Sequence, residues 1–334
     1  MENIVKKITK KARFIANDAV FSLGWRQASN ILSKPGRRIL VYHGLDKIGQ
    51  KTLNGRYISV DEFASQVRFL SGHAQIVSLD DYFSETFDTR RFTVALTFDD
   101  GYQNNLRYAL PVLEQYAAPA TFFLTAAAGG GATWLWMDFL DVATALGPDQ
   151  IEIDHRVFRK KKWRHTTYFI DAAGRKLVDW ARYSPWQFVQ KMEAALQAAG
   201  AWTGAEALSE YWRLLSPPEI RHLAASPYAT IGAHGYTHQD LASVSPEAAF
   251  AEIKGCKEVL EQLCGTTIRA LAYPFGSYTR ALLNYATSIG FSQQLAVNLL
   301  FAEDHNDPRI HARMCINPYI SLNNQWLALK KGRY

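Results

Sequence analysis

Four short polar clusters in this chain combine residue types capable of hydrolytic chemistry. They are His43-Gly44, Asp99-Asp100-Gly101, His234-Gly235-Tyr236-Thr237-His238 and Tyr273-Pro274-Phe275-Gly276. Two histidines and a carboxylate form a ligand set suited to Zn²⁺ or a related divalent ion, with one position left open for water. Such an ion lowers the pKa of its water, and a neighbouring carboxylate can then take the proton. Adjacent carboxylates allow a division of labour, one on the metal and the other as base. In a regular strand their side chains diverge, so both can serve only where strand gives way to loop. Each cluster alone has an ordinary explanation: Asp-Asp-Gly is a common turn, and histidine pairs occur without metal. Gly235 argues against a helical zinc-protease arrangement and for histidines carried on a loop.

The clusters gain weight from their positions. Apolar patterning alternates strands and helices, as in parallel α/β proteins. It predicts strands over residues 38–42, 92–98, 120–124, 228–233, 269–273, 291–297 and 309–316. Helices are expected from a Ser59/Glu62 capping box, over 103–116, from a Ser216/Glu219 capping box, over 246–263 and over 280–289. In such architectures reactive groups gather beyond the C-terminal ends of the strands, and all four clusters fall there. The fold class expected is therefore α/β, a distorted, incomplete (β/α)7-type barrel. The alternation breaks over residues 132–215, which read as an inserted α+β segment on the barrel rim. This segment opens with Trp134-Leu135-Trp136-Met137-Asp138 and contains a hairpin-like stretch. A later helix is expected to start at Ser184-Pro185-Trp186-Gln187, a capping box with Pro at the first helical position. Insertions of this kind shape substrate access. Residues 3–32 read as an amphipathic helix, with Ile4, Ile8, Ile15, Ala19 and Leu23 close to one stripe. The chain thus divides into an N-terminal helix and linker (1–36) and an interrupted barrel (37–334).

The chain has 334 residues, 48% of them hydrophobic, and a net charge of +6, which excludes a disordered protein. The charge is concentrated at Lys6, Lys7, Lys10, Lys11 and Arg13, and again over Arg156–Arg164. Such blocks make a solvated face or attract phosphate; no recognition motif accompanies them, so nucleic acid is not an expected partner. No apolar run is long enough to span a membrane, and the basic start is not followed by a signal-type segment. Cys256, Cys264 and Cys315 provide no disulfide framework. The expectation is a cytoplasmic protein whose residues 1–30 can contact the anionic inner face of a membrane.

Taken in order, Thr97-Phe98-Asp99-Asp100-Gly101, His234-Gly235-Tyr236-Thr237-His238 and Tyr273-Pro274-Phe275-Gly276 resemble the polysaccharide deacetylase family. This is the group with the NodB homology domain, carbohydrate esterase family 4. Leu40-Val41-Tyr42-His43 is similar to a branch of it associated with exopolysaccharide and surface-glycan loci. The resemblance covers roughly residues 37–320, apart from the insertion. It implies hydrolysis of the N-acetyl group of a sugar in a glycan, oligosaccharide or lipid-linked saccharide, with release of acetate. By the same resemblance Asp99 is the general base. Asp100, His234 and His238 hold Zn²⁺, or Co²⁺ or Mn²⁺ in its place, and the Phe275 N–H steadies the oxyanion.

The chain also departs from the family pattern. Many members carry an arginine two residues before the motif-three proline, where this chain has Ala272. Alternation puts residues 309, 311 and 313 on one face of the last strand. Arg313 is thus the candidate to replace that arginine beside Asp99, and His311 is the candidate acid for the leaving amine; His305 is the other choice, though its setting over residues 303–307 reads as an exposed loop. His43, Trp134, Trp136, Asp138, Tyr273 and Pro274 are candidate substrate contacts, the tryptophans by stacking on a sugar ring. Two competing readings are a hydrolase of non-sugar amides or cyclic imides and a catalytically silent glycan-binding module.

Overall fold

The computed structural model describes residues 12–20, 35–130, 132–163 and 166–334. Of the expected N-terminal helix, only residues 12–20 are among them, and these are helical.

The strand Thr93–Phe98 (TVALTF) is buried at every position, as a parallel strand covered on both faces must be. It pairs in parallel along its whole length with Arg37–Tyr42. Its other edge is shared: Gln75–Val77 pairs with its first half, and Ala120–Leu124 with its second. The sheet continues through Ala229–Ala233, Ala270–Ala272 and Gln293–Ala296 to Ile310–Cys315, which returns to Arg37–Tyr42. Seven parallel strands thus close into a barrel, and Gln75–Val77 is an extra strand beside it. Sequence patterning missed that strand because three half-buried residues carry no readable period.

Ile39, Ala95, Phe123, Ala272 and Leu295 fill the barrel interior, together with Leu79 and Tyr82 of the helix Leu79–Ser84. Tyr82 also lies against Arg37 at the start of its strand, 5.2 Å from guanidinium to ring centre. That helix therefore plugs the N-terminal end of the barrel and leaves the opposite end as the mouth. Outside, Leu40, Leu96, Phe98 and Phe122 pack against the surrounding helices.

The capping boxes at Ser59 and Ser216 both form. The one expected at Ser184 does not: Ser184 ends the preceding helix Leu177–Tyr183, and the next, Trp186–Ala198, starts after Pro185 without a side-chain cap. The helix expected over 103–116 divides into a π-helical turn, Asn105–Ala109, and an α-helix, Leu110–Gln115. Such π turns recur beside functional sites. Here Asn105 donates to the His43 carbonyl (2.7 Å), and Asn104 accepts from the Leu45 N–H (3.1 Å).

The segment between the barrel strands Ala120–Leu124 and Ala229–Ala233 has its own core of Phe139, Phe158, Phe169, Met192 and Leu196. It contains the helix Trp136–Leu146 and an antiparallel sheet of Gln150–Ile153, Arg156–Trp163 and Thr166–Ile170. The Leu214 N–H bonds to the Thr133 carbonyl, and Leu215 N–H to the Gly101 carbonyl, each at 2.9 Å. Entry and exit are thereby fastened beside the Asp-Asp-Gly turn, which puts this layer on the rim of the mouth. Among the described residues no helix is long and apolar enough to cross a membrane.

Candidate active site

The site begins where the Thr93–Phe98 strand ends. Asp99 still joins the ladder, its N–H donating to the Tyr42 carbonyl at 3.0 Å. The backbone then turns through two consecutive left-handed residues, Asp100 (φ 78°) and Gly101 (φ 85°). This break in the pleat turns both adjacent carboxylates toward the mouth, where a continued strand would have sent them to opposite faces. Gly44 has a similar constraint: a Cβ there would lie 2.0 Å from the Tyr57 ring, so only glycine lets the chain pass beneath it after His43.

Asp99 is gripped by Arg313. Two parallel bonds of 2.7 Å join Nη1 to Oδ1 and Nη2 to Oδ2, and both residues are buried. Thr97 supports the pair by accepting from Arg313 Nη1 (3.2 Å) while donating to the Leu40 carbonyl (2.7 Å). Phe123 lies under the guanidinium at 5.3 Å. Burial alone would raise the Asp99 pKa, but the charges of Arg313 and His234 outweigh it and hold the carboxyl below its usual range. Asp99 is thus an ionised carboxylate held in one orientation. The strand register explains the pairing, since Arg313 lies level with Ile39, and Ala272 leaves the interior space that a larger side chain would fill.

Asp100, His234 and His238 converge beside that pair, all buried, with their ligand atoms within 4.8 Å of one another. Asp100 Oδ1 is 3.3 Å from His238 Nε2 and 3.6 Å from His234 Nε2. Two ligands on a tetrahedral zinc, at about 2.0–2.1 Å each, are separated by roughly 3.4 Å. The His234 Nδ1 is 2.7 Å from the Ala272 carbonyl, which can only accept, so Nε2 presents its lone pair to the cluster. Both Asp100 carboxylate oxygens are buried without a hydrogen-bond donor. Leaving a buried carboxylate so poorly satisfied is costly, and a divalent cation in this donor set would satisfy it. The residues present therefore fit such an ion.

The backbone here is strained. Asp100, His238 (φ 60°) and Phe275 (φ 59°) are non-glycine residues in the left-handed region, and all three are at the mouth. Glu252, from the helix Pro246–Cys264, holds the histidine loop in place. Its carboxylate accepts from the N–H groups of Tyr236 (2.8 Å) and Thr237 (2.9 Å) and from the Thr237 hydroxyl (2.7 Å). Glu252→Ala is expected to weaken Zn²⁺ binding about 10- to 100-fold, the usual effect of losing a ligand's support. Competition with a chromogenic chelator measures this; unchanged affinity would show that the loop holds itself.

Three other residues shape the opening. Arg56 Nη1 is 3.7 Å from Asp100 Oδ2, and Asn54 holds the arginine through bonds of 3.1 Å to its N–H and 3.2 Å to Nε. His43 is half-buried at the mouth, and withdrawal from water, reinforced by Arg56, pushes its pKa down to about 4. Arg182 reaches over from the rim layer, binds Asp240 at 2.7 Å and covers the Phe275 ring at 4.2 Å. Phe275 in turn packs edge-on against the His238 ring, 5.0 Å between centres.

Several expected site residues lie elsewhere. His311 does face the barrel interior, as Arg313 does, but two residues lower, about 6.6 Å along the strand. There it packs on Tyr82 (5.7 Å) and Phe83 (4.6 Å) in the plug, so it is not the acid at the mouth. His305 is exposed on its 3-10 turn. Asp138 is buried and accepts from the Tyr102 hydroxyl at 2.9 Å, fastening the rim layer to the barrel without facing a substrate. Tyr273 is fully buried and donates to Gln294, and Pro274 is buried with it. Trp136 is buried too, its Nε1–H donating to the His238 carbonyl at 3.2 Å. Trp134 packs among Phe139, Trp202 and Trp212. Trp136 is taken into the core of the rim layer, and Trp134 packs half-buried against it, because apolar area is worth most when buried. Arg56, Glu252 and Arg182 had no sequence signal, since each acts across a long separation in the chain.

Comparison with known proteins bears on this arrangement. The family model for polysaccharide deacetylase matches residues 87–152 and 155–293. A deacetylase from Streptococcus pyogenes, solved in complex with acetate, superposes with a TM-score of 0.56 at 18% identity, over 89% of this chain and 98% of that one. IcaB from Ammonifex degensii gives 0.53 at 18% identity, over 90% and 98%. A polysaccharide deacetylase from Bacillus cereus gives 0.54 at 17% identity, over 89% and 69%. At these identities the structures share the fold. No curated protein sequence matches the chain.

Proposed function

The chain belongs to the polysaccharide deacetylase family and is a hydrolase of the amide bonds of acetylated sugars, and from that premise we propose the roles of its residues. The substrate is an N-acetylated saccharide, and the products are acetate and the free amino sugar. Asp100, His234 and His238 hold a divalent cation, Zn²⁺ by donor type, with Co²⁺ or Mn²⁺ as substitutes. Such an ion supplies Lewis-acid polarisation of the acetyl carbonyl and a water of lowered pKa.

The chain's own groups do the rest. Asp99, ionised and fixed by Arg313, takes the proton as water adds to the acetyl carbon. The Phe275 N–H, in the left-handed turn after Pro274, donates to the oxygen on which charge develops. The carbon–nitrogen bond then breaks, and Asp99 delivers its proton to the leaving nitrogen, since neither His311 nor His305 is at the mouth. Arg56 and His43 contact the sugar at the rim. The observation that carries this reading is the bidentate Asp99–Arg313 pair standing next to the Asp100–His234–His238 cluster. The test is acetate release from N-acetylglucosamine oligomers with Zn²⁺ added. Folded, metal-loaded protein that releases none from any N-acetylated sugar would turn the reading toward a non-sugar amide.

The N-terminal segment supports a proposal about place. Asn17 and Asp18 bond to Ser321 and Asn324 near the C-terminal helix, while Ile15 and Val20 are 62% and 45% exposed. Residues 12–20 thus turn apolar residues outward, and the sequence just before them carries Lys6, Lys7, Lys10 and Lys11. We propose that residues 1–30 dock on an anionic membrane from the cytoplasmic side, where a lipid-linked saccharide would be met. Deleting them is expected to abolish co-sedimentation with phosphatidylglycerol vesicles; equal binding by the shortened chain would end the idea.

A further inference from the structure

Beside the mouth, on the flank of the histidine loop, lies a cavity of about 270 Å³ that the reaction does not use. Its walls include Trp134, Trp136, Trp186, Glu193 and Thr237, and it opens past the exposed Ala132 and Thr133. Two half-buried indoles, Trp134 and Trp186, and a single carboxylate are an unusual lining, with buried Trp136 behind them. Glu193, on the helix Trp186–Ala198, is half-buried and accepts one bond from Trp134 Nε1–H at 3.2 Å. Among the described residues no lysine, arginine or histidine forms an ion pair with it. Its carboxyl group therefore faces aromatic surface, with no cationic partner among the described residues.

That combination selects a ligand by elementary chemistry. Indole faces attract a cation and stack on the C–H face of a pyranose ring. A carboxylate in partly desolvated surroundings strongly prefers a positive partner to a neutral one. The volume lies just below the roughly 300–1,000 Å³ of drug-sized pockets, which is room for one sugar ring and not for a chain. A pyranose ring bearing an ammonium group meets all three conditions. We infer that this cavity is a subsite for a protonated amino sugar, that is, a unit from which the acetyl group is already gone. The choice of an amino sugar over other ring-borne amines rests on the proposed deacetylation, which makes that product next door. The site links to the reaction through Trp136, whose indole holds the His238 carbonyl, and through Thr237, the neighbour of His238.

The test is binding, and it requires no turnover. Glucosamine disaccharide and its N,N′-diacetylated form are titrated near neutral pH, which keeps much of the amine charged without protonating Glu193, whose pKa burial raises. The indole N–H resonances of Trp134 and Trp186, assigned with Trp→Phe variants, report on this cavity alone. The free amino sugar is expected to shift both resonances and to bind at least about tenfold more tightly than the acetylated form, as a charge-assisted contact warrants. Glu193→Gln is expected to erase that difference, and Trp186→Ala to weaken both ligands. Equal affinity for the two sugars, or binding that leaves both indoles unmoved, would overturn the inference. Because acetate release is not the readout, a chain that failed to deacetylate could still pass this test, and one that deacetylated could still fail it.

Discussion

Asp99→Asn is expected to lower kcat for acetate release by about two to four orders of magnitude, the range typical of a lost general base. The substitution keeps shape and volume but removes the charge that accepts the proton. It leaves Asp100, His234 and His238 intact, so bound zinc should remain near one per chain. Arg313 is left buried opposite a neutral amide, and breaking a buried pair on one side typically costs about 3–5 kcal/mol of stability. The variant is therefore compared below its own melting transition, with rates referred to folded protein. A fall in kcat at unchanged zinc content is the signature of a base. Wild-type kcat in the folded variant would remove Asp99 from the mechanism and leave the Arg313 pair with a purely structural role.

Removing the ion is expected to have an effect at least as large. A strong chelator should reduce acetate release to background, and Zn²⁺ or Co²⁺ should restore it; His234→Ala should lose it without rescue. The argument is electrostatic. Without a cation, Asp100 keeps two buried oxygens with no hydrogen-bond donor, while Arg313 is committed to Asp99 and Arg56 stands 3.7 Å away. With the ion lost, the proposed mechanism has only hydrogen bonding and remote cations to oppose the charge developing on the acetyl oxygen. Turnover that survives exhaustive chelation, with no metal found by elemental analysis, would show that the cluster serves another purpose.

What could be read in the sequence were features that act over a few residues. The Asp-Asp-Gly turn, the two histidines around Gly235 and the Tyr-Pro-Phe-Gly turn each end a strand whose apolar pattern is visible locally. Period-two alternation then determines which residues share a face, and together with the arginine missing at Ala272 it pointed to Arg313 beside Asp99, where the structure places it. The same rule put His311 on the right face at the wrong depth, because alternation specifies side but not level along the barrel axis. Level depends on the register between strands, here Ile39 with Arg313, and register is a property of the closed sheet. Tertiary structure likewise decided the fate of Trp136 and Asp138, which a rim layer with its own core buried, and of Trp134, which packs half-buried against that core; a sequence window cannot distinguish an aromatic that stacks on a ligand from one that packs. Arg56, Glu252 and Arg182 reach the mouth from loops and helices whose sequence separation hides the contact. The chemistry of the site was thus written in local motifs, while its positioning and its walls came from contacts that exist only once the barrel has closed.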